Sequence, residues 1–222
     1  LIENSFYPGT LIQRYLLDNL YIELQLIFIS NRTAVIRAGV RTMDDTPAEV
    51  NLLWKGDLFE STNLVKGSLD GIFMEFEKSP RRFVFQTEES AIPELVVSNN
   101  LFQITAKSKL KLSKSVLQNT YLFVTQYENE RELYSASNLK SEFTGYPKKF
   151  YDFNRTRWNG YLTKVLATEE DFGDEPEYRQ GAVKCLLTLI NNWKSPMGDL
   201  KYDGVVPSYS HHYFTGFWAW DS

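Results

Sequence analysis

The stretch Tyr21-Ile22-Glu23-Leu24-Gln25-Leu26-Ile27-Phe28 decides the fold. Ile22, Leu24, Leu26 and Phe28 alternate with Tyr21, Glu23, Gln25 and Ile27, and a period of two puts the two sets on opposite faces of a β-strand. Similar segments recur at 34–40, 50–54, 71–77, 82–86, 101–106 and 121–127. Turn-formers separate them: Asp44-Asp45-Thr46-Pro47, Lys55-Gly56-Asp57, Ser79-Pro80 and Ser98-Asn99-Asn100. Short strands broken by turns at this spacing predict an antiparallel β-sandwich over residues 1–127.

Beyond Glu128 the period changes. Trp158, Tyr161, Leu162, Val165 and Leu166 are spaced for one face of a helix. Asp174-Glu175-Pro176-Glu177 reads as an N-cap, a first-turn proline and a capping-box glutamate. The helix that follows is expected to bury Ala182, Val183, Leu186, Leu187, Ile190 and Trp193, and to end at Lys194-Ser195-Pro196. The order expected is a sandwich over 1–127, a helical connector over 128–172 and the beginning of a helical domain over 173–222.

Composition narrows the function. A chain of 222 residues that is 43% hydrophobic and 23% charged belongs to the globular class. The net charge of −4 supplies no field to gather nucleic acid or an anionic membrane. The longest greasy run, 21–30, is too short for a membrane span and is interrupted by Glu23 and Gln25. Cys185 is the only cysteine, so an intrachain disulfide and Cys-rich zinc sites are excluded; among Val183, Leu186 and Leu187 it reads as a small core residue. Residues 1–10 lack the regions of a signal peptide. Asn31-Arg32-Thr33 and Asn154-Arg155-Thr156 fit the glycosylation sequon.

The chemistry gathers at the far end, in Gly216-Phe217-Trp218-Ala219-Trp220-Asp221-Ser222. Tryptophan offers a flat apolar surface to the C–H face of a sugar ring. A carboxyl held against such rings is poorly solvated, which favours its neutral form and prepares it to protonate a glycosidic oxygen. Asp221 is therefore the candidate general acid, and Phe217, Trp218, Trp220 and Tyr213 are candidate sugar contacts. A chain that stops one residue after that carboxylate reads as a segment of a longer protein.

Other features have duller readings. His211 and His212 are adjacent, point in different directions in most backbones, and lack a carboxylate pattern to complete a metal site. Asp152-x-Asn154-x-Thr156 starts like a calcium loop but lacks its glycine and its twelfth-position glutamate, where Thr163 stands, so it reads as a solvated helix entry. The lysines of 107–114 alternate with Ser108, Leu110, Leu112 and Ser113, a sheet face turned to water, with no aromatics to stack on bases.

Two regions carry a resemblance. Arg157-Trp158-Asn159-Gly160-Tyr161-Leu162, Asn192-Trp193-Lys194-Ser195-Pro196-Met197-Gly198, Val206-Pro207-Ser208, Tyr213-Phe214 and Trp218-Ala219-Trp220-Asp221-Ser222 form a series in the rear half. Tyr7-Pro8-Gly9 and Leu53-Trp54-Lys55-Gly56-Asp57-Leu58 stand in the front half. The series resembles bacterial members of glycoside hydrolase family 63, relatives of the processing α-glucosidase I. The Trp-x-Trp-Asp element is its most specific part.

The resemblance implies an N-terminal β-sandwich, a helical linker and a C-terminal (α/α)6 barrel, of which only the start would be present. It implies an inverting, exo-acting α-glycosidase acting on an oligosaccharide, with Asp221 as general acid and a glutamate base downstream. It implies no required cofactor, leaves room for structural calcium only in the downstream part, and favours a periplasmic or secreted location without assigning one; charge and hydropathy point to no nucleic-acid or membrane partner. Two other classes stay open. One is a non-catalytic carbohydrate-binding or scaffold module, with sugar on sandwich aromatics such as Tyr21 or Phe73. The other is a trehalase-like (α/α)6 enzyme.

Overall fold

The computed structural model describes residues 1–57, 62–65, 72–76, 79–87, 94–98, 101–105, 109–135, 146–167, 175–196 and 200–206. The chain divides into two compact units, Leu1–Asn154 and Arg155–Ser222.

The first unit is antiparallel β-sheet throughout its described strands. It opens with β1 (Glu3–Tyr7), β2 (Thr10–Leu17), β3 (Leu20–Phe28) and β4 (Thr33–Thr42). Pro8-Gly9 turns β1 into β2; Gly9 has φ 75°, a conformation glycine adopts without steric cost. Next come β5 (Ala48–Val50), β6 (Leu53–Asp57), β7 (Thr62–Val65), β8 (Ile72–Phe76) and β9 (Ser79–Thr87). The series ends with β10 (Glu94–Ser98), β11 (Leu101–Thr105), β12 (Leu110–Leu112) and β13 (Gln118–Tyr127). Eight strands form one sheet in the order β1-β2-β3-β4-β13-β9-β8-β7. A second sheet has the order β10-β11-β6, and β12 pairs with β5.

Alternation along each strand gives the large sheet two faces, and each meets a different layer. On one, Met74, Phe85 and Leu122 pack with Ile104 of the three-stranded sheet, and Trp54 and Phe102 close over them. Two β layers share this core, as in a sandwich. On the other, Ile27, Val35, Tyr121 and Phe123 pack against Phe150 and Tyr151. Those two belong to a helix, so one sheet face is covered by strands and part of the other by helix.

Among the described residues three helices follow: α1 (Glu130–Ser135), α2 (Lys148–Leu166) and α3 (Pro176–Asn191). The start of α2 lies in the first unit and is tied down there. The Tyr151 hydroxyl lies 3.1 Å from the Gln25 carbonyl oxygen and 3.3 Å from that of Val35. The Asn154 amide donates to the Gly9 carbonyl at 3.0 Å and to Thr10 Oγ1 at 3.2 Å. In the second unit, β14 (Trp193–Lys194) pairs with β15 (Gly204–Val205).

Several sequence expectations change. The segment 50–54 is not one strand, since β5 ends at Val50 and β6 begins at Leu53. Lys55-Gly56-Asp57 is not a turn but the end of β6. Gly56 faces Phe102, and a Cβ on it would sit 2.4 Å from Phe102 Cε1. The glycine makes room for a ring rather than bending the chain. Ser79-Pro80 opens β9 instead of preceding it. The N-cap of α3 is Glu175, without a side-chain cap bond, and Pro176 opens the helix; Asp174 lies outside the described residues. The helix ends at Asn191, so Trp193 is on a strand and 48% exposed, and Ala182, Val183, Leu186, Leu187 and Ile190 are half-buried rather than buried.

Cys185 is exposed, not core. At 100° per residue it falls opposite the stripe Val183, Leu187 and Ile190, which sequence neighbourhood conceals.

Candidate active site

The described chain stops at Val206, ahead of the segment that carries the proposed acid. Asn192 caps α3, its N–H donating to the Thr188 carbonyl at 3.0 Å. Pro196 has no N–H and disfavours helix in the residue before it, so Ser195 cannot carry the helix on. The chain instead enters β14, where Trp193 pairs with Val205 and Lys194 with Gly204. The Val206 N–H then donates to the Asn192 carbonyl at 2.9 Å, and Val206 is buried. The chain entering the segment from Pro207 to Ser222 is thus held against the end of α3. Trp193 on this ribbon is 48% exposed, and Tyr202, two residues before β15, is 80% exposed. Tyr213, Phe217, Trp218, Trp220 and Asp221 lie outside the described residues, as do His211 and His212.

The first unit answers the remaining candidates. Asp152-x-Asn154-x-Thr156 is neither a loop nor a solvated entry; it lies inside α2, and Asn154, 3% exposed, serves as the tie to the β1–β2 turn. That burial also separates the two sequons, because Asn31 is exposed. No group of three His, Cys, Asp or Glu side chains that could hold a metal occurs among the described residues. No helix among them is long and apolar enough to cross a membrane. Tyr21, a candidate platform of the module reading, has the Arg41 guanidinium over its ring at 5.1 Å, and its hydroxyl reaches Glu23 at 3.3 Å. Burial, then the Glu23 charge, push its phenol up. The side chain of Phe73 is outside the described set.

A charged ladder crosses the helix-covered face. Glu23, 9% exposed, accepts from Arg14 Nε at 2.8 Å and from Arg37 Nη2 at 2.6 Å; Arg14 also pairs with Glu3. The Glu23 and Glu3 partners push the Arg14 guanidinium further up. Arg37 lies 5.3 Å from the centroid of the Tyr151 ring. Buried charges persist where they are paired this closely.

The opposite face of β1–β3 is the reverse. Phe6 and Phe28 are 62% and 60% exposed, while Leu11, Leu24 and Leu26 are half-buried. Sequence reading missed this surface. The signal that could have found it is the alternation Asn4, Phe6 on β1 and Leu11, Gln13, Tyr15, Leu17 on β2.

Residues 1–148 match the family model described as the N-terminal part of the glucosidase YgjK. A solved structure described as a candidate kojibiose phosphorylase from human microbiome matches with a TM-score of 0.53 and 12% identity, over 83% of this chain and 27% of that one. At that identity the likeness is one of fold. The heparan sulfate lyase HepC of Pedobacter heparinus matches over 58% of this chain and 21% of that one, at 12% identity; its TM-score of 0.39 is too low to carry an argument. The chain spans about a quarter of the length of the phosphorylase.

Proposed function

This chain belongs to the family of YgjK glucosidase N-terminal domains, and from that membership we propose that it is the front portion of an inverting, exo-acting α-glycosidase of the family 63 type. In this reading residues 1–127 form the sandwich, 128–172 the helical linker, and 173–222 the beginning of an (α/α)6 catalytic barrel. The substrate is an oligosaccharide with an α-glucosidic linkage. Phe217, Trp218, Trp220 and Tyr213 contact its rings. Asp221 donates its proton to the leaving glycosidic oxygen as the C1–O bond breaks. A carboxylate downstream of this segment takes a proton from the water that attacks C1 from the opposite face. Inversion needs about 6.5–9.5 Å between the two carboxyls to admit that water. No cofactor enters the scheme.

The observation that carries the reading is the family match over residues 1–148, ahead of a tail in which two tryptophans immediately precede one carboxylate.

The test is Asp221→Asn in the longer protein. With poor leaving groups kcat should fall at least ~100-fold, the scale of lost general-acid catalysis. Glycosyl fluorides need little protonation and should suffer much less. Equal losses on both substrate types would make Asp221 structural. Product of retained anomeric configuration would rule out inversion, and turnover that requires inorganic phosphate would replace hydrolysis by phosphorolysis.

A further inference from the structure

At β1–β3 the sheet is inside out. Its charged face is paired and mostly covered, and its uncharged face is open. Residues 4 and 6 of β1, the odd positions 11–17 of β2 and the even positions 20–28 of β3 share that open face through the register Asn4↔Gln13↔Leu24 and Phe6↔Leu11↔Leu26. None of them carries a formal charge. The patch ends at β4, where Ala38 and Val40 are buried. An exposed apolar patch of this kind marks a binding surface.

Its centre is polar and ordered. Gln13 Nε2 donates to Asn4 Oδ1 at 3.3 Å, and the Tyr15 hydroxyl donates to Gln13 Oε1 at 3.1 Å. Each of the two amide oxygens thereby accepts one bond. The Asn4 NH2 and the second N–H of Gln13 make no bond to another described side chain, so the amides offer donors. Phe6 stands on one side of this pair and Tyr15 on the other, four positions away along the register, or about 13 Å. An aromatic ring, an amide pair and a second ring match the alternation of C–H face and hydroxyl edge along an oligosaccharide.

Size and charge select among occupants. Three strands about 4.8 Å apart and up to nine residues long expose a face of about 400 Å². Two copies laid face to face would bury about 800 Å², short of the ~1,200 Å² at the low end of stable interfaces. A charge-free face suits a neutral ligand and offers nothing to an anionic one. We propose that the open face of β1–β3 is a non-catalytic binding site for a neutral oligosaccharide, with Phe6 as platform and Asn4 and Gln13 as hydroxyl partners. It is independent of the role of Asp221.

The experiment titrates the 222-residue chain with maltotetraose and with cellotetraose, following the side-chain amides of Asn4 and Gln13 by NMR. At least one sugar should shift them saturably. Phe6→Ala and Gln13→Ala should each raise Kd at least fivefold. Tyr146→Ala, which removes a ring 78% exposed just ahead of α2 and outside β1–β3, should leave Kd unchanged. The proposal is overturned if neither sugar moves the Asn4 and Gln13 signals, or if Phe6→Ala binds as well as the parent chain. It is also overturned if light scattering finds a dimer that Phe6→Ala dissociates.

Discussion

Phe102 lies across Gly56 from the neighbouring strand, and no atom can be added to Gly56 without moving that ring. The sequence shows a lysine, a glycine and an aspartate, which is turn chemistry; the reason for the glycine is a residue far along the chain. Gly56→Ala should destabilise the first unit by about 1–3 kcal/mol, the usual range for overpacking. Phe102→Leu in the same chain should recover part of that loss, because the two sites are in contact and their effects do not add. Urea midpoints of the two single variants and the double variant measure it, and strict additivity would show that the ring is not what excludes the methyl group. Cys185 teaches the complementary lesson, since its apolar sequence neighbours said core while its helical phase said water.

Elements are joined here by a few polar ties as well as by packing. The short helix α1 is held by Glu132, which pairs with Arg32 between β3 and β4 and accepts the Glu128 N–H at 2.8 Å. Burial works against the Glu132 charge, but the Arg32 guanidinium and the Glu128 N–H together prevail and hold the carboxyl below the ordinary glutamate value. A depressed folded-state pKa stabilises above the unfolded value, about 4.3 for glutamate, and that contribution is lost as pH falls through the folded pKa. Glu132→Gln should therefore unfold at lower urea than the parent chain at pH 7, and the gap should narrow as pH falls below the unfolded glutamate value, about 4.3. A gap that persisted unchanged at pH 3 would mean that the carboxylate charge is not the tie.

At the scale of the molecule, the family match ends at 148 but the compact unit runs to Asn154. The residues between are the ones that cover the helix-side face: Phe150 and Tyr151 pack on Ile27, Val35, Tyr121 and Phe123, and Asn154 binds the β1–β2 turn. Burial drives the Tyr151 phenol well above its usual range, as befits a ring inserted in a core. A chain ended at Pro147 should lose the covering of that face. Relative to one ended at Leu166, it should be less stable by at least about 4 kcal/mol, the scale of one large aromatic removed from a core. Urea unfolding with dye binding to exposed apolar surface checks this; equal midpoints would show that the helix is dispensable to the sheet.

The sequence by itself determined that the front of the chain is β, because a period of two is local and survives without knowledge of neighbours. In α2 the helical period marked Trp158, which is buried, but also Tyr161, which is 39% exposed. The sequence named Asp221 with its tryptophans as a candidate, a reading that lies outside the described residues. The tertiary structure decided what local patterns leave undecided. It inserted β13 between β4 and β9, and it placed the amides of Asn4 and Gln13 side by side. It also chose which face of β3 would be covered. Alternation gives a strand two faces and cannot say which is inside. At β3 the charged one went under because Arg14 and Arg37 close on Glu23 from the two adjacent strands, and that pairing exists only once the strands have met.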